Sequence, residues 1–328
     1  MVKDKIGLKD LADNFSYFHV KIEREFLKAI LERLCNNEKP HYNLGLIESL
    51  DMKLTKGVKY CTTIYGWISY DKTIRLEKLK KIVEMSETEW EDVETKIISI
   101  KSGQAKGEIR PVFPIEINRG LGSIIGHILG DGSIDVRYKQ IAFSNSNKEL
   151  LEEFRHYMKQ IFGIEPRIWM QKKADFGNTS WDRKLNRIED TIEGRNCSLF
   201  YPTICGLILN NLFDNFAVGK NKYITRKIMS ANKNFKIGLI RAIYDDEGSV
   251  DKRSYIRIFQ DRKEMLALLK KLLEEFEISS SEIFSYIKRN KQRYYFNIYG
   301  KKNFTEFQNK IGFTSRKKSE RLDNLIRK

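Results

Sequence analysis

Four cysteines, Cys35, Cys61, Cys197 and Cys205, are spread through 328 residues without a single CxxC pair, and the four histidines do not stand at zinc-ligand spacing beside them. A disulfide or zinc framework is therefore not expected, and the thiols read as reduced structural residues. Long apolar runs are missing as well. No stretch approaches the roughly 20 uninterrupted apolar residues that a membrane helix needs, and residues 1–15, MVKDKIGLKDLADNF, lack the apolar core of a secretory signal. These absences predict a soluble, cytoplasmic protein, associated with the nucleoid if its partner is DNA. Acidic charge is also in deficit. Sixty Lys and Arg face 44 Asp and Glu, a formal charge of +16, which favours a polyanionic partner, nucleic acid first.

Proline is scarce, five in all, and two of the five fall in SGQAKGEIRPVFPIEINRG (102–120). That segment reads as a linker, splitting off an N-terminal domain over 1–101. Within it, residues 22–34, 44–52, 58–68, 76–83 and 90–100 each carry apolar residues at helical spacing, which predicts an all-α bundle of short helices. The pair LGLIESLDM and VKYCTTIYGWI, joined by a short turn, resembles a helix-turn-helix, with Lys53, Lys56, Lys59 and Tyr60 as candidate DNA contacts.

Beyond residue 120 the chain repeats itself. GSIIGHILGDGSID (122–135) aligns with GLIRAIYDDEGSVD (238–251) at an offset of 116. QIAFSNSNKELLEEF (140–154) then aligns with YIRIFQDRKEMLALL (255–269), one residue shorter. Each copy, 121–233 and 234–328, reads as an αββαββα unit, so the fold class expected is α+β: a tandem pseudo-twofold pair of such units behind the all-α domain. Strand alternation sets Ile141 and Phe143 inward against Gln140, Ala142 and Ser144, and Ile256 and Ile258 inward against Tyr255, Arg257 and Phe259. In the last strand Arg293, Tyr295, Asn297 and Tyr299 share the outward face. A sheet face of Arg, Tyr, Asn and Gln suits a nucleic-acid groove.

Gly122, Gly126 and Gly130 stand four apart on one helical face, and Gly238 and Ala242 take the same places in the second copy. Each glycine inside a helix costs roughly 1 kcal/mol relative to Ala, so three in two turns point to close helix contact. Asp246 replaces Gly130 and interrupts that pattern. Both helices end in an acid, Asp131 and Glu247, at the negative end of the helix dipole, where a carboxylate is unfavourable unless a cation binds. Oxygen ligands from these acids and the carbonyls of Gly130 and Asp246 select a hard divalent cation such as Mg²⁺, able to activate water toward a phosphodiester.

IIGHILGDG (124–132) and IRAIYDDEG (240–248) resemble the two copies of the LAGLIDADG motif in single-chain homing endonucleases. The resemblance implies saddle-shaped antiparallel sheets on double-stranded DNA, a monomer with internal pseudo-symmetry, and one cut per strand by Asp131 and Glu247. It implies a basic residue after the last helix of each unit: Lys220 or Lys222 in the first, Lys317 or Lys318 in the second, with Lys220 and Lys318 taken as catalytic. DNA contacts are expected from Arg137, Tyr138, Lys139, Gln140, Ser144, Asn145, Asn147, Arg167, Lys172, Lys173 and Lys222 in the first unit. In the second they are expected from Lys252, Arg253, Tyr255, Arg257, Gln260, Lys288, Arg289, Arg293, Tyr295 and Asn297. Residues 172–196 read as a mobile, polar DNA-contacting loop. The chain starts with Met and has no terminal His-Asn pair, so self-splicing is not expected and the protein reads as freestanding. Some family members regulate transcription or assist intron RNA folding, which makes intron RNA a second candidate partner. The intact acids favour cleavage.

Overall fold

The computed structural model describes residues 4–36, 38–54, 56–103, 107–171, 181–192, 194–219, 221–288 and 290–327. They form two compact units: Lys5–Ile115 with Phe162–Ile164, and Glu116–Ile161 with Glu165 onward and the N-terminal residues up to Asp4.

The first unit corrects the all-α expectation. Its helices Leu8–Asn14, Arg24–Leu34, Leu44–Ser49, Thr62–Ser69, Leu76–Met85 and Trp90–Thr95 accompany a four-stranded antiparallel sheet in the order Ile74–Arg75, His19–Ile22, Ile97–Lys101, Glu108–Ile109. Residues 90–100, read as one helix, break at Thr95 because Ile97, Ile98 and Ile100 are β-branched and favour extended backbone. Glu108–Ile109 pairs with Ile97–Lys101, so these two residues of the expected linker belong to this sheet. The connection between the two supposed helix-turn-helix elements runs from 50 to 61, longer than a tight turn.

The second unit is built around two helices, Arg119–Leu129 and Lys233–Glu247, each starting on an Asn whose side chain caps it, Asn118 and Asn232. A Cβ on Gly122 would strike the Phe235 carbonyl, and one on Gly238 would strike the Arg119 carbonyl. Moving each partner by the repeat offset of 116 turns the first contact into the second, the signature of a two-fold relation. Gly126 against Ala242 and Gly130 against Asp246 map onto themselves, so the pseudo-axis runs through these two pairs. Small residues there let the backbones meet, and Gly238→Ala tests how tightly. The methyl gains about 1 kcal/mol in helix propensity but must displace a carbonyl, and overpacking costs typically 1–3 kcal/mol. A lower midpoint in thermal or urea unfolding is expected; a raised one would mean that the helices do not touch.

Each half then lays a sheet over its own helices. The first carries five antiparallel strands, ordered Trp181–Leu185, Arg167–Gln171, Cys197–Tyr201, Ile141–Asn145, Gly132–Ile134. The second carries four, ordered Gly248–Asp251, Tyr255–Gln260, Lys291–Tyr299, Phe284–Lys288. The inward face follows the predicted alternation: Ile141, Phe143, Ile256, Ile258, Phe296 and Ile298 are fully buried, against the helices Lys148–Phe162, Thr203–Leu212, Lys263–Glu274, Lys301–Lys310 and Arg316–Arg327. The extra strand of the first half falls inside the segment read as a loop, whose residues 172–180 and 193 lie outside the described ones. All four cysteines are free and buried. Among the described residues no helix is long and apolar enough to cross a membrane.

Candidate active site at the helix junction

The two motif helices converge at their C-terminal ends, and there the acids gather. Asp246 sits on the pseudo-axis with its carboxylate in the space that Gly130 leaves open. It accepts a hydrogen bond from the Asp131 backbone N–H at 3.2 Å, and Asn145 Nδ2 donates to Asp131 Oδ2 at 2.9 Å. Asp131 opens toward solvent, yet surrounding protein first and the neighbouring Asp246 second push its carboxyl up to about 6. Burial, then Asp131 and Asp246, push Glu247 up to about 7. Three carboxylates crowd one helix junction, and a cation would relieve their repulsion.

Two lysines end the helices. Lys222 Nζ donates to the Gly130 carbonyl. Burial lowers its pKa, while Glu247, Asp131 and Asp246 oppose that shift. Lys318 Nζ donates to the carbonyls of Tyr244, Asp245 and Gly248, at 3.1 Å for the first and 2.7 Å for the last. All three donors of Lys318 thus go to the end of the second helix; burial lowers its pKa, while Asp245, Asp246, Asp131 and Glu247 oppose that shift. Lys222, one of the two candidates for the first unit's basic residue and also an expected DNA contact, lies beside the acids; Lys220 lies outside the described residues. The Gly130 carbonyl, expected to face a cation, faces Lys222 instead.

Lys222 and Glu247 line a cleft of about 280 Å³ with Leu129, Gln260, Asp261, Arg262, Met265 and Arg293. Gln260 occupies the repeat position of Asn145, and its buried Nε2 has no partner. Each half therefore supplies an acid with an amide close by: Asp131 with Asn145, and Glu247 with Gln260 in one cleft.

Sequence reasoning missed what lies beneath. His127 is fully buried between Asp246, at 3.1 Å from Nδ1, and Glu153, at 3.2 Å from Nε2. Burial opposes its charge, but Asp246 and Glu153 outweigh burial and push the imidazole up to about 10. Glu153 is held below its usual range against burial by His127, Thr314 and Ser123. Asp245, buried, accepts the N–H groups of Thr314 and Ser315 at 2.8 and 3.0 Å. The available signal was a histidine in an apolar helix whose repeat partner is Ile243, three residues before the position that faces Asp246.

The remaining candidates divide by place. Arg137, Tyr138, Lys252 and Arg253 are exposed at matching turns, where Asp135 and Asp251 accept the N–H groups of Arg137 and Arg253 at 2.9 and 2.8 Å. Arg167, Lys288 and Lys291 are exposed, while Lys139, Gln140, Ser144, Arg293 and Tyr295 are half-buried on the outward face or its turns. Lys172, Lys173 and Arg289 lie outside the described residues. Asn147 is half-buried, accepting the Glu149 N–H at 2.8 Å and donating to Ser315 Oγ. Tyr255 and Asn297 are 8% and 2% exposed; the Tyr255 ring lies against Arg257 and Asn297 Oδ1 accepts from its Nε.

Two pseudo-symmetric helices packed through glycines, with acids at their shared end under a pair of antiparallel sheets, define a duplicated LAGLIDADG architecture. A LAGLIDADG-like domain family matches residues 121–205 and 234–312, and the chain belongs to that family. Among curated proteins the chain is 25% identical over 323 residues to the glutamine–fructose-6-phosphate aminotransferase of Methanocaldococcus jannaschii, covering 96% of this chain and 26% of that protein. It is 25% identical over 236 residues to the replication factor C small subunit of Thermococcus kodakarensis, covering 67% of this chain and 24% of that one. The chain thus spans about a quarter of the length of these relatives. Among solved structures, the homing endonuclease I-DmoI in complex with DNA and Mn has a TM-score of 0.41 at 15% identity, covering 60% of this chain and 98% of that one. Full-length DUF199/WhiA has 0.41 at 17%, covering 65% and 61%.

Proposed function

We propose that this chain is a site-specific, divalent-cation-dependent double-strand DNA endonuclease of the homing type, acting as a monomer. The observation that carries the reading is the crowding of Asp131, Glu247 and Asp246 at the junction of the two motif helices, where two of the three acids are pushed up toward neutrality. A purely structural helix pair has no use for such repulsion.

The donor set fits a hard cation: Asp131 and Glu247 offer oxygen only. Among the described residues no cluster of three or more His, Cys, Asp or Glu is arranged around one metal position, so backbone, solvent and phosphate oxygens would complete the sphere. A bound Mg²⁺ supplies Lewis acidity toward the scissile phosphate. The protein does the rest. Asn145 fixes the Asp131 carboxylate, Lys222 brings positive charge to the phosphate, and the unpartnered Gln260 amide can orient the attacking water. Exposed Lys and Arg on the outward turns hold the duplex by its phosphates. The N-terminal unit, with Lys53, Lys56 and Lys59 exposed, adds a second grip on DNA through its helix-turn-helix-like pair.

The decisive experiment is incubation of a randomised duplex library with the protein and Mg²⁺, followed by mapping of ends. Staggered cuts at one site support the reading; tight, sequence-specific binding without any cut would make the protein a regulator.

The raised acids also set a pH dependence. Cations compete with the protons that Asp131 and Glu247 hold below about 6 and 7. Mn²⁺ affinity measured by calorimetry is expected to rise from pH 5.5 to pH 8 and level off above. Without cation the sign for stability is opposite: acids with raised folded pKa values favour the folded state at low pH, and that contribution disappears as pH rises through 6 to 7. A flat Mn²⁺ profile would exclude these carboxylates as ligands.

A further inference from the structure

The outward face of the second sheet carries one arginine that is fixed before anything binds. Arg257 lies on Tyr255–Gln260, an interior strand paired on both sides, with Ser249 and Asn297 as its neighbours in register. Its guanidinium carbon lies 4.4 Å from the ring centroid of Tyr255 and 4.4 Å from that of Tyr295. Its Nε donates to Asn297 Oδ1 at 2.7 Å. Asn297 is itself locked, its Nδ2 donating to the Tyr299 hydroxyl and its backbone N–H donating to Ser281 Oγ at 3.0 Å. Among the described residues no carboxylate pairs with Arg257, whereas Arg253 is tied to Asp251 and Arg293 to Asp261.

We propose that Arg257 is a specificity-determining residue that reads a guanine in the half-site facing the second sheet. The inference rests on the DNA-binding reading above and deepens it. A free arginine gives up about 2 kcal/mol of rotamer entropy when it is fixed. Here two rings and an amide have already restricted it, and the Nη1 and Nη2 edge remains for a ligand. That planar two-donor edge matches O6 and N7 of guanine in the major groove. A phosphate would accept the same edge, but position argues against it: Lys252, Lys288 and Lys291 stand at the turns that rim this sheet, where backbone phosphates pass, while Arg257 stands at its middle. Rim lysines are mobile point charges suited to phosphate; a rigid fork at the centre suits a base edge.

The test uses the full chain without Mg²⁺, so that binding is read apart from cleavage. Wild type and Arg257→Met, which removes every donor of the side chain, are each used to select from a randomised duplex library. The wild type is expected to enrich a guanine at one fixed position. Arg257→Met should relax that position while leaving the other enriched bases unchanged. Replacing this guanine by 7-deazaguanine, which lacks the N7 acceptor, should weaken wild-type binding roughly tenfold or more and leave the variant's binding nearly unaltered. The 7-deazaguanine arm needs only the wild type, so it decides the matter even if the variant folds poorly. A guanine that persists in the variant's selected sites, or a loss of affinity spread evenly over all sequences, would overturn the assignment while keeping DNA binding. Failure of the wild type to select any sequence would overturn both readings.

Discussion

Asp131→Asn and Glu247→Gln are each expected to abolish double-strand cleavage while leaving duplex binding within a few-fold of wild type. The acids face the helix junction, whereas the cations proposed to hold phosphates stand on the outward turns. A correctly held cation contributes several kcal/mol of charge stabilisation in phosphodiester hydrolysis, so losing it corresponds to roughly a 10³-fold fall in rate or more. Stability should move the other way. Removing one carboxylate relieves the repulsion that pushes the other up, so neither variant should unfold at a lower temperature than the wild type in the absence of metal. Two measurements check this: single-turnover cleavage of the selected duplex, and thermal unfolding in EDTA. A variant that cuts at near wild-type rate would remove that acid from the reaction. A variant that is inactive but also strongly destabilised would place the acid in the scaffold.

His127→Ala should carry the largest loss of stability of any single change in the second unit. The imidazolium lies wholly buried between Asp246 and Glu153, and removing one partner of a buried ionic group typically costs about 3–5 kcal/mol because the remaining charges have no water to turn to. Here two carboxylates would be stranded on one cavity. The contribution is tied to pH with a definite sign. The imidazole pKa rises from 6.5 to about 10 on folding, so its stabilisation is complete below about 6.5 and disappears as pH rises through about 10. Urea unfolding at pH 7 and at pH 10.5 should show a larger gap between wild type and His127→Ala at the lower pH. A difference under about 1 kcal/mol at pH 7 would place this group in the range of exposed ion pairs and overturn its role as a buried ionic anchor.

What the sequence made legible was periodic. The offset of 116, the glycines at spacing of four and the acid that follows each helix carry the two-fold relation and the place of the site, because repeats and close packing leave their record in residue size and order. Strand faces were legible for the same reason, through alternation at Ile141 and Phe143 or Ile256 and Ile258. What escaped was pairing at long range. His127 meets Glu153 and Asp246 only after three helices pack, and Lys318 reaches the end of the helix holding Asp245 from some seventy residues away. The β-branched run from Ile97 to Ile100 misled because its apolar spacing also fits a helix, and the sheet that captures it includes His19–Ile22, far back in the chain. The bonds of Asn147 to Ser315 and of Asn297 to Arg257 were likewise beyond reach, since their partners lie 168 and 40 residues away.

The axis position has a consequence for how the two halves depend on each other. Had the repeat stayed identical, the same side chain would meet itself there, and this chain has resolved that meeting by giving glycine to one half and a carboxylate to the other. A first half paired with its own copy would leave each His127 imidazolium facing a glycine, with no Asp246 to accept from it. A second half paired with its own copy would press two Asp246 carboxylates into one space, with Ile243 where the histidine stood. Neither half can serve as its own mate, and the duplication is no longer reversible: the fused chain has become heterodimeric in all but its covalent continuity.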